Sequence, residues 1–410
     1  MDGTLLKKLH RLGDIMNNES EFPLTIIRWY LVPPIYRWYF KPLYRAMAAV
    51  LTEQEIDLLL ILGNDRLTRA QLLKRTGWPQ DDFTRAFEAL TGKKAVLWSE
   101  AAAGGATVFR IAPMMLGWFE LSCADGEATP ERRLFSKELG RFFNRIKLMN
   151  FIGARGIINW LIFGLGPMSG IAKLPSAIET EPGTKPVMTV AVDRSVNIPE
   201  AKIYRAGGVN AMIEKYGDSG QIAVTKCLCR QHWAMEGDPC RLDLPLESHL
   251  WIGPFAEHVV SYGYGRRISK DEAYGIIHQV RERGGVFEVM HTRMDVENEP
   301  GLSVCCCCWD CCTALGNYNR GLMPLAVKTY YLAAIPDPRK CTLCGLCVEY
   351  CPVSAMRIKD NQLVHDPDLC IGCGQCEYQC PTDAVVMAPH ERVVRLGMLK
   401  KSRRKAAFKD

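Results

Sequence analysis

Between residues 52 and 112 the apolar positions recur first at helical and then at strand spacing. Thr52 and Glu55 form a capping box in front of EIDLLLIL, RLTRAQLLKRTGW reads as a second helix ending at Gly77, and DDFTRAFEALTGK reads as a third with Asp81 near its cap. AVLWSE and TVFRIAP then alternate as two strands around the loop AAAGGA. Farther along, MTVAV at 188–192 alternates as a strand, and residues 198–216 read as a capped helix. QIAVTKCLC returns as a strand that would present Cys227 and Cys229 at its end. Ser269 and Glu272 then open a helix that Gly284 and Gly285 close. SYGYGRRIS at 261–269 carries Ile268 where a dinucleotide-binding fingerprint needs its third glycine, so that fingerprint fails.

Three helices followed by a hairpin predict a winged helix over 52–125. The third helix balances Arg85, Lys93 and Lys94 against Asp81, Asp82 and Glu88, and the wing carries no basic residue. Duplex binding needs several cations aimed at phosphates, so specific nucleic acid is not an expected partner. Residues 1–51 form an arm in which the stretch 22–47 has eight aromatic and four basic residues and no acid. Pro33, Pro34 and Pro42 argue against one long helix there. The arm either wraps the winged helix or meets a membrane surface or partner groove, since Trp, Tyr and Arg suit both. The apolar segment 156–166 reads as a buried helix or loop.

With 410 residues, 48% hydrophobic and 23% charged, the chain has the balance of a globular protein of two to four domains at about 100–200 residues each. No run of about 18 apolar residues predicts a membrane span. The N-terminus lacks the pattern of a signal peptide, so a cytoplasmic protein, peripheral to a membrane at most, is expected. The net charge of +6 equals that of residues 391–410 alone, which hold eight Lys/Arg and two acids. This basic tail suits an acidic partner or an anionic surface.

The 18 cysteines change the picture most. In a reducing compartment such a number points to metal ligands rather than disulfides. Residues 341–352, CTLCGLCVEYCP, and 370–381, CIGCGQCEYQCP, both fit C-x2-C-x2-C-x3-C-P, 29 residues apart. Two complete runs, each closed by proline, differ from paired zinc knuckles. They closely resemble the bacterial two-cluster ferredoxins, in which the fourth cysteine of each run serves the other cluster. The resemblance implies one [4Fe–4S] cluster on Cys341, Cys344, Cys347 and Cys380, and a second on Cys370, Cys373, Cys376 and Cys351. Gly345, Gly372 and Gly374 would let the backbone approach the sulfides, and Pro352 and Pro381 would turn the chain. Clusters with every position filled by thiolate pass single electrons.

A second constellation precedes this module: Cys227, Cys229 and Cys240, then Cys305, Cys306, Cys307, Cys308, Cys311 and Cys312. Nine thiols in two segments 65 residues apart predict one site closed by the fold. An additional iron–sulfur site, a zinc site and a metal-free dithiol all fit soft thiolates. Residues 188–320 resemble a group of ferredoxin-domain proteins from anaerobes. In that group a C-x-C-R segment, here Cys227, Cys229 and Arg230, precedes a cysteine-rich run and a two-cluster ferredoxin follows. It carries Asn where this chain has Cys306. The expected ligands are therefore Cys227, Cys229, Cys240, Cys305, Cys307, Cys308, Cys311 and Cys312, with Arg230 and Arg241 flanking them. His249, His258, His278 and His291 are scattered and read as structural or exposed.

The sequence thus predicts an α+β multidomain protein: arm 1–51, winged helix 52–125, cysteine-rich α+β domain 126–330, ferredoxin domain 331–390 and basic tail 391–410. The expected function is electron transfer through two [4Fe–4S] clusters to an additional iron–sulfur site, with a redox protein as partner, in an anaerobic oxidoreductase. A reductase acting at an unusual cluster and a redox-sensing winged-helix regulator are the alternatives.

Overall fold

The computed structural model describes residues 3–18, 34–92, 94–102, 104–113, 118–151, 202–296 and 299–399. The expected strand at 188–192, the apolar segment 156–166, the first part of the aromatic arm and the tail from 400 lie outside them.

The N-terminal block begins with α1 (Gly3–Asn18) and α2 (Pro34–Val50), followed by α3 (Glu53–Leu62), α4 (Arg69–Thr76) and α5 (Gln80–Thr91). Thr52 caps α3 reciprocally: the Glu55 amide donates to Thr52 Oγ1 at 3.3 Å and the Thr52 amide to Glu55 Oε2 at 2.7 Å. Thr68 and Gln71 repeat the device on α4. The hairpin β1 (Leu97–Ala101) and β2 (Thr107–Ile111) follows, and Phe109 also bridges Leu67, between α3 and α4. Pro42, expected to break helical structure, lies inside α2. The neighbouring Leu43, Tyr44 and Met47 are buried there with Leu9, Leu12 and Met16 of α1 and Leu58 and Leu59 of α3. Burial of this size offsets the lost hydrogen bond of one proline, about 3 kcal/mol. The described part of the arm is therefore packed within the chain, and Lys8 ties α1 to Glu53 and Asp57 of α3.

The rest is organised by one eight-stranded sheet. Its strands are β3 (Lys202–Tyr204), β4 (Ile222–Lys226), β5 (Glu247–Ile252), β6 (Arg266–Arg267), β7 (Val286–Val296), β8 (Glu299–Cys307), β9 (Leu325–Ala334) and β12 (Val386–Leu396), with the small hairpin of β10 (Met356–Lys359) and β11 (Gln362–His365) between the last two. The order is β12-β9-β3-β7-β8-β5-β4-β6; β3 and β9 run parallel and the other neighbours antiparallel. Lys202–Tyr204, expected as helix, is a strand in the middle of this sheet, and the helix begins only at Ala206. The alternation of Ile203 with polar neighbours suits the slot between β7 and β9. Glu391–Leu396, expected as tail, pairs with β9.

Alternation along the strands divides two cores. Leu250, Ile252, Phe287, Val289, Leu302, Val304 and Cys306 face the helices Ala206–Gly217 and Lys270–Glu282. On the opposite face, Trp251 packs on the N-terminal block, where Phe255 meets Trp98 at 5.3 Å between ring centroids. The same face, toward β9 and β12, packs on the ferredoxin cysteines. The expected domain boundaries at 330/331 and 390/391 fall within β9 and β12, so residues 335–385 are an insertion between two paired strands. Among the described residues, no helix is long and apolar enough to cross a membrane. The structure is mixed helix and sheet, with the ferredoxin-like unit at its C-terminal end.

Candidate metal centres

The insertion holds two short helical turns, Leu346–Glu349 and Gln375–Tyr378, each opened by a glycine in the left-handed region, Gly345 (φ 81°) and Gly374 (φ 79°). A Cβ on Gly372 would lie 1.9 Å from Thr329 Oγ1 and 2.3 Å from the Tyr331 carbonyl oxygen, so this loop lies flat on β9 only without a side chain. Cys341, Cys344, Cys347 and Cys380 line one cavity. Cys351, Cys370, Cys373 and Cys376 line a second. Each cavity is thus lined by three cysteines of one run and the last cysteine of the other, with apolar residues such as Ile358 and Val385, or Ile371 and Met387, closing it.

Backbone amides are aimed at the sulfurs: Ala355 donates to Cys351 Sγ at 3.1 Å and Ala384 to Cys380 Sγ at 3.3 Å. Burial raises the Cys347 thiol to about 11 and pushes those of Cys351, Cys373 and Cys376 upward as well. At Cys380 burial acts the same way, but the amides of Thr382, Val385 and Ala384 outweigh it and lower the pKa. Buried thiols of this kind ionise only against a bound cation, which is the chemistry of an iron–sulfur ligand set.

The insertion is held to the sheet by polar contacts that spacing alone did not reveal. Gln375 is buried and donates from Nε2 to the carbonyls of Gly285 (2.5 Å) and Arg281 (3.2 Å). Asn319 Nδ2 donates to Pro352 O at 2.8 Å and Trp309 O at 3.0 Å. Arg392, buried on β12, donates to the carbonyls of Pro367 and Cys370, both at 2.6 Å. Glu377 pairs with Arg205. The second cavity is therefore the one fixed against β7, through Gln375, whereas Cys344 of the first is exposed.

The nine cysteines of the second constellation do not gather in one place, and Cys123 is buried in the N-terminal core. On β8, Cys305 and Cys307 point to one face and Cys306 to the other, so the sheet itself divides them. On the face toward the ferredoxin unit, the Cys312 thiol donates to Cys307 Sγ at 3.2 Å and Cys307 to Glu288 Oε2 at 3.4 Å. Cys307 lies near enough to influence the ionisation of Cys305, and Cys229 that of Cys227. Cys312 lies near enough to influence the ionisation of both Cys229 and Cys305. Five thiols and one carboxyl thus form a single group. Cys227 caps the helix Leu228–Met235, and Cys229 accepts from the Thr313 amide at 3.4 Å. The hydrogen bond from Cys229, with help from Arg230 against the opposing effect of burial, lowers Cys227 to about 5.

On the other face, Cys240, Cys308 and Cys311 place their sulfurs within 4.8 Å of one another. Cys308 and Cys311 are 2.7 Å apart, and the Cys311 amide donates to Cys308 Sγ at 2.9 Å. Hydrogen bonds from Cys308 and Cys311 pull Cys240 down to about 2. Cys306 stands apart, its thiol pushed up by burial.

Between the two groups lies the guanidinium of Arg230, buried and bonded to the carbonyls of Pro245 and Cys306 and to Ser248 Oγ. Burial works against its charge, and Cys227, Cys311, Cys306 and Cys308 together raise its pKa. Arg241, expected to flank the cysteines, follows Cys240 directly and gives its backbone amide to Asp310. Glu288 was not among the expected ligands. Its signal is an acid at an inward position of the apolar strand VFEVM, and burial raises its pKa. His249 and His258 are buried and stacked on Trp251 and Phe255, while His278 is exposed beside Glu282. Cys305 is 3.8 Å from His249 Nε2.

No curated protein and no solved structure matches the chain. Residues 340–384 match the family model described as a 4Fe-4S dicluster domain, and this segment is a ferredoxin-type iron–sulfur module.

Proposed function

We propose that the chain is an electron-transfer protein with two [4Fe–4S] clusters in the module and an additional iron–sulfur site on the five-thiol group of Cys227, Cys229, Cys305, Cys307 and Cys312. It would serve as subunit or partner of an anaerobic oxidoreductase, in the manner of the ferredoxin-domain group that its C-x-C-R and cysteine-rich segments resemble. Iron–sulfur clusters supply one-electron chemistry when bound. The observation that carries the reading is continuity. Cys347, Cys370 and Cys376 of the module share one buried cluster with Cys307 and Cys312, and the module is inserted between strands of the sheet that bears Cys305 and Cys307.

The chain's own residues have distinct tasks in this reading. Cys341, Cys344, Cys347 and Cys380 hold one cluster near the surface, where exposed Cys344 faces a redox partner. Cys351, Cys370, Cys373 and Cys376 hold the other, which Gln375 and Arg392 fix toward the sheet. Glu288 excludes water beside Cys307 and is available as an oxygen ligand. The block 52–111 reads as a winged helix used for docking rather than for DNA. Leu67 and Phe109 complete its small sheet, and ion pairs of Arg69 with Glu88, Arg85 with Asp82 and Lys94 with Glu55 leave little charge for phosphates.

Iron and sulfide content with EPR of the anaerobically purified, reduced protein tests the reading. About eight irons belong to the module and any surplus to the five-thiol group. A protein without iron, or with zinc throughout, would sink it.

A further inference from the structure

We propose that Cys240, Cys308 and Cys311 form a metal centre of their own: a single zinc ion held by three thiolates, its fourth position left to a solvent ligand. This inference does not rest on the iron–sulfur reading of the opposite face.

Spacing is the first argument. Two thiolates on one tetrahedral zinc lie about 3.8 Å apart, given Zn–S bonds of about 2.3 Å. The three sulfurs all fall within 4.8 Å of one another, and Cys308 and Cys311, 2.7 Å apart, would open by about 1 Å to meet that spacing. A cubane spreads its ligands, because each thiolate binds a different iron. The module's eight cysteines keep to that rule, since no three of them come together so closely among the described residues; the other group this tight there, Glu288, Cys307 and Cys312, has two sulfurs and a carboxylate.

The local structure is that of a ligand turn. Cys308 and Cys311 have the C-x-x-C spacing, and the amide of Cys311 donates to Cys308 Sγ, which turns both sulfurs to the same side. Asp310, inside the turn, is not a fourth ligand. Its carboxylate is engaged by Arg320 and by the Arg241 amide, which fix the turn to the segment carrying Cys240. Asp238 reinforces the same junction through Arg320 at 3.1 Å. Cys308 and Cys311 are buried while Cys240 is half-buried, so the remaining coordination position opens beside Cys240.

Charge supplies an independent argument. Arg230 is buried, no carboxylate among the described residues pairs with it, and its Nε has no partner. A buried cation is stable only beside a compensating anion. Zinc with three thiolates carries one net negative charge. That anion would stand near Arg230, whose guanidinium is bonded to the carbonyl of Cys306, two residues before Cys308. The donor set contains only sulfur, which selects zinc over hard ions. The centre would staple the loop bearing Cys240 to the end of β8.

The test uses the full chain purified without oxygen. Elemental analysis should find about one zinc per chain beside the iron. Zinc-edge X-ray absorption should show three sulfurs at about 2.3 Å and one oxygen or nitrogen. Cys240→Ser and Cys308→Ser should each lose the zinc and keep the iron, whereas Cys229→Ser should lower iron and keep the zinc. Absence of zinc in iron-loaded protein, a four-sulfur zinc shell, or iron lost with Cys240→Ser would overturn the proposal. Should a variant fail to fold, the zinc shell of the unaltered protein still decides. Failure of the iron–sulfur reading would appear in the iron count and leave the zinc count standing.

Discussion

The ferredoxin module and the cysteine-bearing sheet hold eight and nine thiols and present them by different means. The module carries its cysteines on loops whose glycines adopt left-handed conformations, and the sulfurs line two open cavities. The sheet region carries five of its cysteines on β8 and at a helix start and the other four on adjoining turns, and the sulfurs are packed into hydrogen-bonding distance. Loops can place ligands around a volume. A strand alternates them between two faces and so makes two groups from one run of cysteines. The module therefore presents two cysteine-lined cavities, and the sheet is a partition with Arg230 buried within it.

The sharpest way to break this contrast is to remove one cradle at a time. Cys344→Ala and Cys373→Ala should each lose about four irons, one cubane each, and leave the central thiols unaffected. Iron analysis of each variant checks this; full iron in the double variant would refute the ligand assignment.

Acid should separate the regions next. Burial, aided in each case by a nearby arginine, lowers His232 to about 4 and His249 and His258 to about 3. These histidines are neutral when folded and take up protons near pH 6.5 when unfolded, so stability is lost as pH falls below that value. Three such groups cost about 4 kcal/mol between pH 7 and 5.5. Residues 340–399 contain no tryptophan, so tryptophan fluorescence follows the central and N-terminal parts alone. Denaturant midpoints by fluorescence should fall with acid, and His258→Phe should remove about a third of the slope.

Arg230→Ala should destabilise the protein by about 3 kcal/mol, because it leaves the carbonyls of Pro245 and Cys306 without a donor and the thiolates without their cation. Arg230→Lys should recover part of that loss. The smallest effect belongs to the junction. Gln375→Ala removes the donor to Gly285 and Arg281 and should cost about 1–2 kcal/mol without loss of iron. Equilibrium unfolding of each variant measures both.

The same contrast explains what was legible in advance. The pairing of Cys341, Cys344 and Cys347 with Cys380 is what the resemblance of the two cysteine runs to two-cluster ferredoxins implies, and the structure brings those four to one cavity. Thr52 and Glu55 likewise act within one helical turn, and their capping box is present. The division of Cys305 and Cys307 from Cys306 was latent in alternation. It could be read only once β8 was known to lie between β5 and β7, with both faces covered. Lys202–Tyr204 has helical neighbours and becomes a strand because β7 and β9 leave a slot for it. Arg392 looked like part of a basic tail, and its role depends on Pro367 and Cys370, more than twenty residues away. Glu288 gave a local signal, an acid in an apolar strand, whose meaning required Cys307 on the neighbouring strand.

The central claim is that the sheet holds iron as well as the module. The most direct test compares iron per chain in the unaltered protein and in Cys307→Ser/Cys312→Ser, both purified anaerobically and reduced for EPR. The account predicts more than about eight irons, with the surplus and its influence on the module's EPR signals absent from the variant. About eight irons or fewer in the unaltered protein, with identical spectra in the variant, would contradict it.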